Sequence, residues 1–165
     1  MPSIALRTQP HSFITDQGIP AFAQRIYADV LLTLQSGRTR SLPFVVDTGA
    51  PFSVIPWHVW HELGVGWEFW GREFHDESGV VPNALKWDGI DCDFGGLEVA
   101  IIDARTGNRS ESQILVAKFP RFDIPKSHRV SRPLPLLGMD FLHTNALRLI
   151  IDGRGSALVG EFETP

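Results

Sequence analysis

Apolar residues fall along this chain in short runs, each cut off by glycine, proline or a cluster of Asp, Asn and Ser. That rhythm predicts many strands joined by turns and leaves little room for long helices. Arg25 to Leu34 reads as a strand, Ser36-Gly37-Arg38 as a turn, and Thr39 to Val46 as the return strand of a hairpin. Ser53-Val54-Ile55 is a short apolar strand. Pro56 to Leu63 is the best helix candidate, with Pro56 at its first position and Gly64 closing it. Glu73 to Val81 predicts a hairpin that turns near Glu77-Ser78-Gly79, and Ile90–Phe94 with Leu97–Ile102 a second one around Gly95-Gly96. Asp103 to Ser112 reads as loop and Gln113 to Lys118 as strand. Phe119 to Pro135, with its prolines and basic residues, reads as a long surface loop. Leu136 to Leu142 predicts a short helix. Leu147–Ile151 and Ala157–Val159 predict a last hairpin around Asp152-Gly153-Arg154-Gly155. The expected fold class is mostly β with one or two short helices. Residues 1–20 form an irregular N-terminal arm in this reading, extended only near Ser3–Leu6, and residues 21–165 form a single domain.

Composition narrows the function classes. A chain of 165 residues with 43% hydrophobic and 21% charged residues suits one globular domain with its own core. Its net charge of −4 gives no electrostatic footprint for nucleic acid. No apolar run is long enough to cross a bilayer, and the polar, proline-broken segment Met1 to Gln17 lacks the apolar centre of a signal peptide. The single cysteine, Cys92, cannot form an internal disulfide and fits a reducing compartment, so a cytoplasmic location is expected. No membrane partner, metal or other cofactor is implied.

The chemistry concentrates at Phe44-Val45-Val46-Asp47-Thr48-Gly49-Ala50, an apolar strand running into Asp-Thr-Gly. Val45 and Val46 fix the strand, Thr48 can bond to backbone beneath the site, and Gly49 permits close backbone approach. Peptide hydrolysis by carboxylates needs two of them sharing one proton, so that one is base while the other is acid. The triplet occurs once. Ile101-Ile102-Asp103-Ala104 and Ile150-Ile151-Asp152-Gly153 also end apolar strands in aspartate, but neither has threonine and glycine behind it, and both read as plain turns. Ala50 offers no hydroxyl to the carboxylate, which predicts a milder acid optimum than a serine there would give.

Val-Val-Asp-Thr-Gly-Ala at 45–50, Ser53-Val54-Ile55-Pro56, and Leu136-Leu137-Gly138-Met139-Asp140-Phe141-Leu142 together resemble the retropepsin-like aspartic protease family, over about Arg25 to Val159. The resemblance implies an acid-protease β-barrel, closed by six to eight strands and covered by a flap hairpin. It implies a homodimer in which each copy gives Asp47 to a site on the two-fold axis, with Thr48 bonding across that axis and Gly49 shaping the loop. By position the flap is Glu73–Val81, so Glu77, Ser78 and Gly79 at its tip, with Ala50, would contact a protein or peptide substrate. The apolar-apolar-Gly strand would pass near the triplet, and Asp140 would be a structural residue of the short helix. The implied activity is aspartic-type endopeptidase hydrolysis. Pro51 departs from the acidic residue that viral members carry there, and the segments Trp57–Arg72 and Phe119–Pro135 are longer than theirs.

Plainer readings stand beside these. Asp47 alone could be a strand-end aspartate starting a turn. The same fold could serve as a non-catalytic dimerising or peptide-binding module. His58, His61 and Glu62, with His75-Asp76 downstream, miss the His-Glu-x-x-His spacing and read as exposed helix residues. Trp57 and Trp60 share a helix face and read as core; Trp67, Phe69 and Trp70 are harder to bury together and could instead line a cleft or a partner surface. Cys92 alternates with Asp91 and Asp93 and points inward. The basic run Lys118–Arg132 is most simply a solvated loop.

Overall fold

Alternation with period two builds most of the molecule. The computed structural model describes residues 3–126, 131–154 and 159–164. Its strands are β1 (Ser3–Ile14), β2 (Pro20–Thr33), β3 (Thr39–Val46), β4 (Ser53–Val54), β5 (Glu68–Gly71), β6 (Phe74–Asp76), β7 (Gly79–Val81), β8 (Lys86–Trp87), β9 (Ile90–Ile102), β10 (Gln113–Pro120), β11 (Leu136–Leu137), β12 (Arg148–Asp152) and β13 (Val159–Glu163). Two short helices, α1 (Trp57–Trp60) and α2 (Met139–Thr144), complete it. The fold is mostly β, as the sequence predicts. No helix among the described residues is long and apolar enough to cross a membrane.

The main sheet runs β12-β13-β1-β2-β3-β11-β4-β10-β9-β5, and β2 also pairs with β9. In the inner half of β2 alternate side chains (Ala28, Val30, Leu32) point inward, joined by Phe44 of β3, Val99 and Ile101 of β9, and Leu115, Ala117 and Phe119 of β10. Phe141 of α2 and Phe162 of β13 close the far side of this core, their rings 5.9 Å apart. The β2–β3 hairpin forms as predicted, with Thr33 opposite Thr39 and Tyr27 opposite Val45. Strand β3 has the expected bounds, but β2 starts at Pro20 instead of Arg25 and ends at Thr33.

Several elements differ from the sequence reading. The expected irregular arm is a strand. Ser3–Leu6 pair with β13, and Arg7–Ile14 pair with β2. Its root is fixed because the Ala5 amide donates to Asp103 Oδ2 at 2.8 Å and the Ala104 amide to Ala5 O at 2.9 Å. Four bonds, from the Ala5, Arg105 and Thr106 amides and the Thr106 hydroxyl, hold the Asp103 carboxyl down at about 2. The helix expected over 56–63 is α-helical only at Trp57–Trp60. One further turn ends at Gly64, which takes φ +68° while its amide bonds His61 O and the Val65 amide bonds Trp60 O. The predicted helix over 136–142 splits into β11 and α2. The expected loop from Phe119 begins later, since β10 continues to Pro120 and Phe119 is fully buried. The last strand lies at Val159–Glu163, and Ala157 and Leu158 fall outside the described residues.

Gly95-Gly96 do not make a turn. They sit inside β9, which runs straight through them against both β10 and β5. The glycines are there for what passes over them. A Cβ at Gly95 would collide with the Glu68 carbonyl and the Trp67 ring, and one at Gly96 with the Trp70 ring. Glycine thus marks close packing here, a signal that resembles a turn in sequence.

These two glycines should tolerate substitution differently. The obstacle at Gly95 includes backbone, whereas Trp70 is 48% exposed and can swing aside. Gly95→Ala is expected to cost ~1–3 kcal/mol and Gly96→Ala distinctly less, read from urea midpoints; equal costs would show that both sites relax alike.

Candidate active site

Asp47 follows the last residue of β3, and the chain turns back at once to enter β4. β11 slots between those two strands. It runs parallel to β3 (Leu136 opposite Val45, Leu137 opposite Val46) and antiparallel to β4 (Leu136 opposite Val54). The Asp47 amide donates to Leu137 O at 2.9 Å, and the Val45 amide to Pro135 O at 2.9 Å. A segment distant in sequence therefore grips the backbone under the aspartate.

Within the loop, the Gly49 amide donates to Asp47 Oδ1 at 2.9 Å, which fixes the rotamer of the side chain. A Cβ on residue 49 would lie 3.3 Å from that oxygen, so a larger residue would crowd the acid. The Ala50 amide closes the turn on Asp47 O at 3.2 Å. Asp47 and Ala50 are half-buried, while Thr48 and Gly49 are exposed.

Gly138 brings the second motif against the loop. The Met139 amide donates to Ala50 O at 2.9 Å and the Asp140 amide to Pro51 O at 3.2 Å. A Cβ at Gly138 would strike Ala50 O and the Phe52 backbone, so only glycine fits. The polar centre of this clamp is Ser53, the buried polar residue of the described core. Its hydroxyl donates to Asp140 Oδ1 at 2.8 Å and accepts from the Gly138 amide at 3.0 Å, while its own amide donates to the same Oδ1 at 2.9 Å. The sequence reading places Asp140 as a structural residue of the short helix, which matches. It misses Ser53 as its partner, although a lone serine opening an apolar strand was visible. Burial pushes the Asp140 carboxyl above its usual value, and Oδ2 has no hydrogen-bond partner among the described residues.

The hairpin β6–β7 forms a small sheet of its own. At its tip the Ser78 amide and hydroxyl donate to Asp76 Oδ1 at 2.8 and 2.6 Å, which holds the Asp76 carboxyl below its usual value. Gly79 takes φ +118° there, and Glu77 and Ser78 are exposed. No hydrogen bond among the described residues joins Glu77, Ser78 or Gly79 to the Asp47 loop. Aromatic rings make the connection instead. Phe74 of β6 packs on Phe52, two residues beyond Ala50, at 5.4 Å and on Phe94 of β9 at 4.8 Å. Lys118 Nζ lies 5.2 Å over the Phe52 ring. The root of the hairpin is thereby seated on the loop that carries the acid.

The remaining chemical candidates are engaged elsewhere. His61 stacks on Trp57 at 4.4 Å, His58 Nδ1 lies 3.8 Å from Asp123, and Glu62 pairs with Arg132 at 2.6 Å, so these side chains face three different partners. Cys92 is buried and its thiol is pushed up to about 11 by desolvation, which keeps it protonated at neutral pH. Asp103 caps its own loop, and Asp152 pairs with Arg154 at 2.8 Å. Trp60 and Trp67 pack around Phe119, with Trp67 stacked on it at 3.8 Å. Phe69 and Trp70 stay about half exposed. A cleft of about 320 Å³ opens beside β6–β7, walled by Phe74, Val81, Leu85, Lys86, Cys92 and Arg121, and Asp47 is not in its wall. Of the basic run, residues 127–130 lie outside the described residues.

No protein-family model matches this chain, and no curated protein matches it.

Asp140 gives this clamp a pH signature. Its folded-state pKa lies above the unfolded value, so its contribution is fully present below the unfolded pKa and is lost as pH rises through the folded one. Asparagine keeps an oxygen for Ser53 but cannot ionise. The stability of the wild type relative to Asp140→Asn should therefore fall as pH climbs above the ordinary carboxylate range, measured from urea midpoints between pH 3.5 and 7. A difference that stays flat or rises would contradict the desolvated carboxyl.

Proposed function

We propose that the protein is a retropepsin-like aspartic endopeptidase, active as a homodimer in which two copies of Asp47 share one proton. The observation that carries this reading is the grip of Leu136-Leu137-Gly138 on the Asp-Thr-Gly loop. It presents a single half-buried carboxylate with its rotamer set by the Gly49 amide and its backbone held by Leu137 O. A plain turn aspartate needs none of that support. The pairing β2–β9 adds to it, because it joins the ends of the path β2-β3-β11-β4-β10-β9 into a ring of six strands, consistent with a small closed barrel. The β6–β7 hairpin, rooted on Phe52, serves as the flap.

In this mechanism two carboxylates face each other across a two-fold axis and cannot both ionise, so one is protonated at the working pH. The ionised one takes a proton from a bound water as that water attacks the scissile carbonyl carbon. The protonated one hydrogen-bonds the carbonyl oxygen and supplies its proton as the tetrahedral diol forms. Collapse of the diol transfers a proton to the leaving amine and restores the shared proton. Gly49 N–H orients the carboxylate of its own copy through the bond to Oδ1, and Thr48, which is exposed, would bond across the axis.

Digestion of a peptide library at pH 4–7 tests this directly. Cleavage by the wild type is expected, and Asp47→Asn should reduce it ~10²–10⁴-fold or more without changing the molecular mass. Full activity in that variant would end the proposal. A dimer that binds but never cleaves peptides would make a peptide-binding module the better account.

A further inference from the structure

The β1–β2 hairpin leaves the body beside the Asp47 loop. Tyr27 opposite Val45 is the last rung between β2 and β3, so continuing the register puts Arg25 level with Asp47. From there β2 runs on to Pro20 with only β1 beside it, since β1 pairs with β13 no further than Leu6. At ~3.3 Å per residue the ribbon reaches roughly 15 Å beyond the aspartate's level.

Its outer half is apolar on both faces. Cross-strand register puts His11, Phe13, Ala21 and Ala23 on one face, and Ser12, Ile14, Pro20 and Phe22 on the other. Phe22 is 80% exposed, Ile14 78%, Ile19 57% and Phe13 49%. A two-stranded ribbon is marginal alone in water, and among the described residues this one has no core of its own chain beneath its tip.

A receiving surface lies at the same end of the body. Thr48, Met139, Leu142, Leu149 and Ile151 line a depression of about 860 Å³, with Met139 44% and Ile151 50% exposed. Ile151 pairs with Gly160, which pairs with Leu6 at the foot of the ribbon, so this surface lies near the ribbon's root. Asp16 is the single charged residue between Phe13 and Phe22, and the depression is lined by His143 and by Arg148, which pairs with Glu163 at 2.7 Å.

We propose that the β1–β2 ribbon is a dimerisation arm that lays its Ile14, Pro20 and Phe22 face into the Met139–Ile151 depression of a second copy of this chain. The choice of a second copy rests on the peptidase reading. Two Asp47 side chains can meet only if another body approaches the end from which the ribbon projects. The contact is reciprocal, each arm crossing to the other's depression, so one interface covers both apolar surfaces and closes on itself.

Sedimentation velocity across a dilution series provides the test. The wild type should be a dimer that dissociates on dilution. Ile14→Ser combined with Phe22→Ser should weaken that dimer at least tenfold while leaving the circular dichroism unchanged, because neither side chain belongs to the core. Ile151→Lys on the receiving face should do the same. A photo-crosslinking residue in place of Phe22 should label residues 139–151 of the other copy. Unchanged dimerisation in the arm variants, crosslinks elsewhere, or a wild type monomeric at every concentration would each overturn the arm. An arm-dependent dimer without peptidase activity would sink only the peptidase reading, and full activity in an arm-less dimer only the arm.

Discussion

Insertion of β11 between β3 and β4 is the constraint on which the rest depends. Strands joined by a short loop ordinarily pair with each other; here Leu136 and Leu137 separate them and take both sets of backbone bonds. The intervening loop, Asp47 to Phe52, is thereby forced open and presented at the molecule's end, not folded into a hairpin turn. Ser53 and Asp140 hold the wedge in place at 2.8 Å, and Gly138 lets it approach. Buried polar pairs of this kind stabilise little in net terms but are costly to break, so they fix one arrangement against its alternatives.

That arrangement accounts for the position of the surrounding parts. Because the loop is open, Phe52 projects from it and offers a ring to Phe74, seating the β6–β7 hairpin beside the aspartate. Because β3 ends at Val46, its neighbour β2 continues unaccompanied past the same point and becomes a free ribbon with β1. Helix α2 starts where the wedge ends, which places Met139 next to Thr48. The acid, the hairpin root, the ribbon and the apolar depression thus share one end through a single topological feature.

The proposed peptidase and its proposed arm fit one physical pattern. A lone carboxylate with an ordered rotamer has half of an acid–base pair, and a ribbon with two apolar faces has half of a packed interface. Each incompleteness lies on the same side of the body. A second copy would remove both together, which couples assembly of the interface to assembly of the chemistry.

Local pattern was enough to reveal much of this. Although β2 starts at Pro20, before the strand pattern begins at Arg25, the turn of the β2–β3 hairpin and the whole of β3 are legible, because period-two burial and a glycine turn are short-range properties. So is the inward face of Cys92, and so is Asp47 as the residue that ends an apolar strand. Gly64 as a helix stop was legible too, since only glycine takes that backbone turn cheaply. What the chain's local pattern left undecided were features set by remote partners. Gly95-Gly96 look like a turn but are clearance for Trp67 and Trp70, which nothing adjacent to them announces. The first strand looks irregular because Pro10 interrupts it and its partners lie in β2, β13 and the Asp103 loop. Leu136-Leu137 look like the start of a helix, and only their insertion between β3 and β4 makes them a strand. Sequence fixes which backbone each residue tolerates; long-range pairing fixes which tolerated form is used, since the bonds that decide it come from residues far along the chain.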